Sequence, residues 1–501
     1  MTPPPSTNPA HIPTRLRDLS AKILIGSDRS GSASAPEFAI QAALLATMAR
    51  AGFSGPGVEA TLPACPPEAL AVASAASMST LGRLLTDGDP ILIEEWLTLA
   101  QSRHLRVDYA LLPALLDWGA AKSNRANQVI AVAGTRGTWL ASLNPAWASL
   151  RGLTSLPSDP ASAWSTGSAS DRLSLLGAAR SERPALAREL IKATAKEDSA
   201  DERRRFLAQL SVNLSPDDEP FLEEALNDRS KLVREAAANL LLQLPSSAYV
   251  ARMTARAREA IQFHESTKGL LRKKTAALAV ALPKEWDASF DRDALEQKPP
   301  SGVGEKAWWL QQIVARTPPL ALFGTATPEA ILEALADSDY SETLPAAIRE
   351  AAARFGAIEW SIAVARHELD APRKGKADNM PTVPAGLSTQ HAAAVILELI
   401  ADKRFNLQLS WAYVAGIPRP WSETISQQVV KLLAAKKPTS APQWYEVGTA
   451  AEDISRSIHP AAAASLDSLL RSLFKDDPPP WVVKSIDRLA LRTDMHKEFH
   501  S

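Results

Sequence analysis

The stretch LNDRSKLVREAA, residues 226–237, decides the fold. Just before it, SPDDEPFLEEAL opens with Ser215 or Asp217 as a helix cap and places acids in the first turn, where they suit the helix dipole. After it, Val233, Ala237, Leu240, Leu241 and Leu244 fall on one face of a second helix, 232–244. The residues NDRS are then a tight turn between two helices. Asp228 or Ser230 can cap the second helix, and Lys231 with Glu235 forms an i,i+4 pair.

The arrangement recurs. Leu222, Ala225, Leu226 and Asp228 align at one constant offset with Ile331, Ala334, Leu335 and Asp337. Val233 and Arg234 align with Ile348 and Arg349 across a longer turn filled by SDYSETLP. Weaker elbows lie in LLTDGDPILIEEWL near the start and SLFKDDPPPWVVKSIDRLAL near the end. A helix, an acidic turn and a second helix, repeated with drift, is a solenoid pattern. Asp228, Arg234, Asp337 and Arg349 are thus expected to be structural, because an active site has little reason to occur twice.

The rest of the chain fits this reading. Apolar residues recur at helical spacing with almost no alternating β pattern, and proline clusters at joints such as CPPEAL, ARTPPL and DDPPPW. The expected fold is an all-α superhelix of irregular helix pairs. Two small, polar or Pro/Gly-broken joints, 154–170 and 369–390, separate modules at 15–153, 171–368 and 390–501 behind a loose tail, 1–14.

Composition narrows the function. Of 501 residues, 46% are hydrophobic and 22% charged, which allows a real core. Lys+Arg number 55 and Asp+Glu 56, for a net charge of −1, so nucleic-acid binding would need a local patch. A single cysteine, Cys65, excludes an internal disulfide and a cysteine-based zinc site. The start lacks a signal-peptide pattern and no apolar run approaches the ~20 residues of a membrane span. The expectation is a soluble, cytoplasmic protein.

DRSKLVREAAANLL resembles the second half of a HEAT repeat, in which an Asp in the turn precedes a Val-Arg pair opening the inner helix. The resemblance implies that Asp228 and Arg234 tie neighbouring repeats together. More broadly, ILIGSDR (23–29), GTRGTWLASLNPAW (134–147) and residues 206–253 resemble an uncharacterised bacterial helical-repeat family. Its members are often encoded beside a MoxR-type AAA+ ATPase, a von Willebrand A-domain protein and a SWIM zinc-finger protein. The resemblance implies a partner among these, the AAA+ or von Willebrand A-domain protein first, and brings no catalytic residues.

Two segments are candidates for binding. GTRGTWLASLNPAW places Arg136, Trp139 and Trp147 together; they pack a joint between helix pairs or form a knob of the Trp and Arg type that dominates interfaces. RMTARAREAIQFHESTKGLLRKK, residues 252–274, holds seven basic residues, among them Arg252, Arg256, Lys273 and Lys274, against two acids. It is a solvated helix face or a site for nucleic acid or an acidic protein. GSDRSGS, residues 26–32, has phosphate-loop glycines but no following Lys-Ser/Thr, so it reads as a loop. His496 and His500 sit i,i+4 at an end expected to fray, and no metal, cofactor or catalytic set emerges. The expected protein is a non-catalytic scaffold or adaptor, with a nucleic-acid-binding solenoid as the alternative.

Overall fold

The computed structural model describes residues 39–44, 47, 64–122, 125–150, 156–268, 273–336, 338–370, 381, 383–436, 444–474 and 478–499. Contacts divide the chain into two units, Met1–Pro67 and Glu68–Ser501. In the first, residues 39–44 are helical. The tail and the 26–32 loop lie outside the described residues.

The second unit is an all-α helical-repeat solenoid of irregular helix pairs. It begins with α1 (Ala75–Asp87), α2 (Pro90–Ser102), α3 (Leu112–Ala120) and α4 (Ala126–Leu143). The two-residue strands β1 (Ala71–Val72) and β2 (Leu105–Arg106) pair in parallel beside them. Next come α5 (Pro160–Thr166), α6 (Ala169–Glu182), α7 (Pro184–Thr194), α8 (Ala200–Ala208), α9 (Glu219–Ala225), α10 (Lys231–Leu241) and α11 (Ala248–Ala260). A hairpin follows, β3 (Ile261–Lys268) with β4 (Lys273–Val280), then α12 (Ala288–Arg292), α13 (Glu305–Ala315), α14 (Pro319–Phe323), α15 (Pro328–Ala336), α16 (Thr343–Arg354) and α17 (Ile358–Asp370). The last helices are α18 (Thr389–Ala401), α19 (Leu407–Ala415), α20 (Glu423–Ala435), α21 (Trp444–Ser457), α22 (Ala463–Leu473) and α23 (Pro480–Glu498).

Helix starts follow the chemistry of the joints. Asp89 accepts a hydrogen bond from Ile91 N–H with Pro90 opening α2, and Ser199 and Glu202 form a capping box on α8. Helices then stack on the next but one: α8 on α10, α11 on α13, α19 on α21 and α21 on α23. That alternation buries the apolar stripe of each pair against its neighbours. Val233, Ala237, Leu240, Leu241 and Leu244 are all buried, as the periodicity requires. Trp96, Trp164 and Trp411 anchor separate clusters in the early, middle and late parts of the unit.

Five local expectations need correction. Residues 261–268 and 273–280 pair as antiparallel strands rather than helix, because Ile261, Phe263, Leu278 and Val280 pack against the α15–α17 core with a period of two. The joint at 154–170 contains α5, held by fully buried Trp164, whose ring lies 5.0 Å from Phe206. Ser230 makes no side-chain cap on α10; Asp228 instead accepts a hydrogen bond from Ser230 N–H at 2.7 Å within the turn. The cap at Ser215 is completed by Asp218, not Asp217. Finally, α23 is not frayed: Met495 and Phe499 are buried in the core of α1–α4.

Candidate functional site

The elbow residues work as ties. Asp228 forms a two-point salt bridge with Arg203 of α8, at 2.8 and 2.9 Å, and so reaches back along the chain. Arg234 reaches forward, donating to the Asp291 carbonyl at 3.0 Å and to the Asp228 carbonyl at 2.8 Å. Arg349 repeats the forward tie onto Glu368 of α17. Asp337 lies outside the described residues. A second tie carried no sequence signal of its own. Arg180 and Asp218, both fully buried, meet at 2.9 Å through two hydrogen bonds, with Arg188 adding a third at 2.5 Å. Burial alone would raise the Asp218 pKa, but these arginines and the Ser215 N–H hold it below the ordinary carboxylate value.

Two arginines of the basic segment are paired within the fold. Arg252 and Arg256 converge on Asp293 at 2.9 and 2.8 Å, and Arg252 also reaches Glu223 at 3.0 Å. Asp293, only 1% exposed, takes Arg292 as well. The two candidate arginines are therefore neutralised within the fold rather than presented to a partner. The side chains of Lys273 and Lys274 lie outside the described ones.

The GTRGTW segment is built differently. Gly134 takes φ 66°, ψ −175°, a conformation nearly confined to glycine, and breaks α4 in two. The carboxylate of Glu68 fills the break, accepting from Thr135 N–H at 3.2 Å and Arg136 N–H at 3.5 Å. A Cβ at position 134 would meet Glu68 Oε2 at 2.5 Å. Burial raises the Glu68 pKa, but backbone N–H donors, Thr135 first and then Leu70, Ala69 and Arg136, outweigh it and leave it lowered. The exposed Arg136 guanidinium lies 4.3 Å over the Tyr109 ring, and Arg106 approaches the same ring at 4.3 Å. Tyr109 is 37% exposed. Trp139 is half-buried, and Trp147 packs on the α1–α4 core and donates to Asp117 at 2.7 Å. Arg136 and Tyr109 thus form a surface; Trp147 belongs to the joint. Tyr109 went unnoticed in the sequence because nothing local links it to Arg136.

The last helix meets the first ones at a third place. Arg492 binds Glu95 through two hydrogen bonds of 2.8 Å, and His496 Nε2 reaches the same carboxylate at 2.8 Å. Arg456 and Arg488 approach Asp89 at 3.3 and 3.6 Å. A cavity of about 460 Å³ opens beside this network, with Trp421, Pro420 and His459 on its far wall. Among the described residues, no group of three or more His, Cys, Asp or Glu is placed to hold a metal ion, and no helix is long and apolar enough to cross a membrane.

Stacked helix pairs, inter-repeat Arg–carboxylate ties and an exposed Tyr–Arg surface define a helical-repeat protein. Its family follows from the sequence match: the chain belongs to DUF5691, a family of unknown function whose model matches residues 4–499. No curated protein and no solved structure matches the chain.

Proposed function

We propose that the chain is a non-catalytic scaffold with HEAT-like repeats that binds a protein partner through the Tyr109–Arg136 surface. The observation that supports this most is the exposed Tyr109 ring with two guanidiniums over it, on backbone pinned by Glu68 and the Gly134 break. Tyr and Arg held rigidly lose little entropy on binding, which is what makes them interface anchors. The partner proposed is a MoxR-type AAA+ ATPase or a von Willebrand A-domain protein, in keeping with the neighbourhood that the sequence resemblance implies. The test is retention of each purified candidate on the immobilised chain. Tyr109→Ala and Arg136→Ala should each weaken binding about tenfold or more, the scale of a hot spot, with unchanged circular dichroism. Retention of neither candidate, or native affinity in both variants, refutes the proposal.

A further inference from the structure

A second cavity, of about 270 Å³, lies between the second helices of the middle repeats, α10, α13 and α16. Its walls are polar, and two arginines on them keep donors to spare. Arg316 spends donors on the Gln312 and Ala294 carbonyls, and Arg354 donates to the Ala315 carbonyl at 2.5 Å. Both guanidiniums therefore sit at the C-terminal end of α13. Neither has a carboxylate within 4.0 Å among the described residues, although a guanidinium carries five N–H groups.

The carboxylates on the same walls do not pair with either guanidinium. Glu235 and Glu296 both pair with Lys231, at 3.4 and 2.6 Å. Glu350 is exposed, one turn before Arg354, and makes no ion pair within 4.0 Å. We propose that this cavity is a binding site for a small oxyanion, a carboxylate or a phosphate, clamped by Arg316 and Arg354. Arginine suits that role because its planar fork matches both groups with two parallel N–H bonds. The cavity volume limits the ligand to a small molecule. The side chains of Gln311 and Asn239 remain on the wall to read its other polar groups.

The site is separate from the Tyr109–Arg136 surface, so either can fail alone. The test is calorimetric titration of the full chain with sodium phosphate and with sodium succinate, using chloride at matched ionic strength as control. Saturable binding of one anion or both is expected, and which one binds identifies the source. Arg354→Gln should weaken it about tenfold or more, the size of a lost charged hydrogen bond. Should Arg354→Gln lose its fold by circular dichroism, Arg354→Lys, which keeps the charge without the fork, takes its place. Heats no larger than chloride's, or native affinity in the folded variants, overturn the proposal.

Discussion

Asp218 and Asp228 are both acids in turns that bound helices, yet their surroundings differ. Asp218 is fully buried against a fully buried Arg180, whereas the Asp228 side chain keeps 17% of its exposure and Arg203 keeps 7%. Removing the charge at Asp218 strands a guanidinium away from water. Asp218→Asn should therefore cost about 3–5 kcal/mol, the penalty for breaking a buried pair. At Asp228 water can reach the survivor, and Asp228→Ala should cost about 2 kcal/mol, in line with lost charged hydrogen bonds. Urea unfolding of both variants measures the difference; equal losses would mean that burial does not set the scale. Both carboxylates have lowered pKa values despite burial, which alone would raise them, because arginine and backbone N–H donors favour the charged form. Their contribution is thus present above the ordinary carboxylate pKa and is lost as pH falls below it.

At the scale of the element, α4 shows how one residue sets a surface. Gly134 supplies both the backbone conformation and the space for Glu68. Gly134→Ala should destabilise by at least about 1–3 kcal/mol from backbone strain alone, and should loosen the Arg136–Tyr109 contact. Thermal melting and the near-ultraviolet signal of the tyrosine measure the two effects. An unchanged melt would mean that the break is not needed for stability. The helices themselves were legible in the sequence, because capping residues, prolines and the 3.6-residue apolar period act locally. The elbow at 226–237 was legible too, down to its inward face. The β3–β4 hairpin was not, since its apolar residues matter only once α15–α17 are in place to cover them. Nor was the fate of Arg252 and Arg256 legible. Their partner Asp293 is distant in sequence, and only the stacking of α11 beside α12 brings it within reach.

The second unit is also tied across its whole length. Glu95 in α2 and Arg492 in α23 are joined by two hydrogen bonds, Thr80 donates to Glu498, and the Trp96 and Phe499 rings meet edge-on at 5.4 Å. Contacts of such sequence separation close only after the repeats between them have stacked, so they report on the unit rather than on one helix. Burial pushes the Glu95 pKa up, but hydrogen bonds from His496 and Arg492 leave it lowered, so this tie holds above the ordinary carboxylate range and loosens as pH drops below it. Glu95→Ala leaves Arg492 without its carboxylate and exposes the consequence at neutral pH. Hydrogen exchange should then speed up in α23 and equally in α1 and α2, while α8 and α10 keep their protection. A chain truncated after residue 479 should show the same loss in α1 and α2, since Met495 and Phe499 leave that core. Faster exchange confined to α23 would mean that the first helices are stable without the last one, and that the Glu95–Arg492 contact closes nothing.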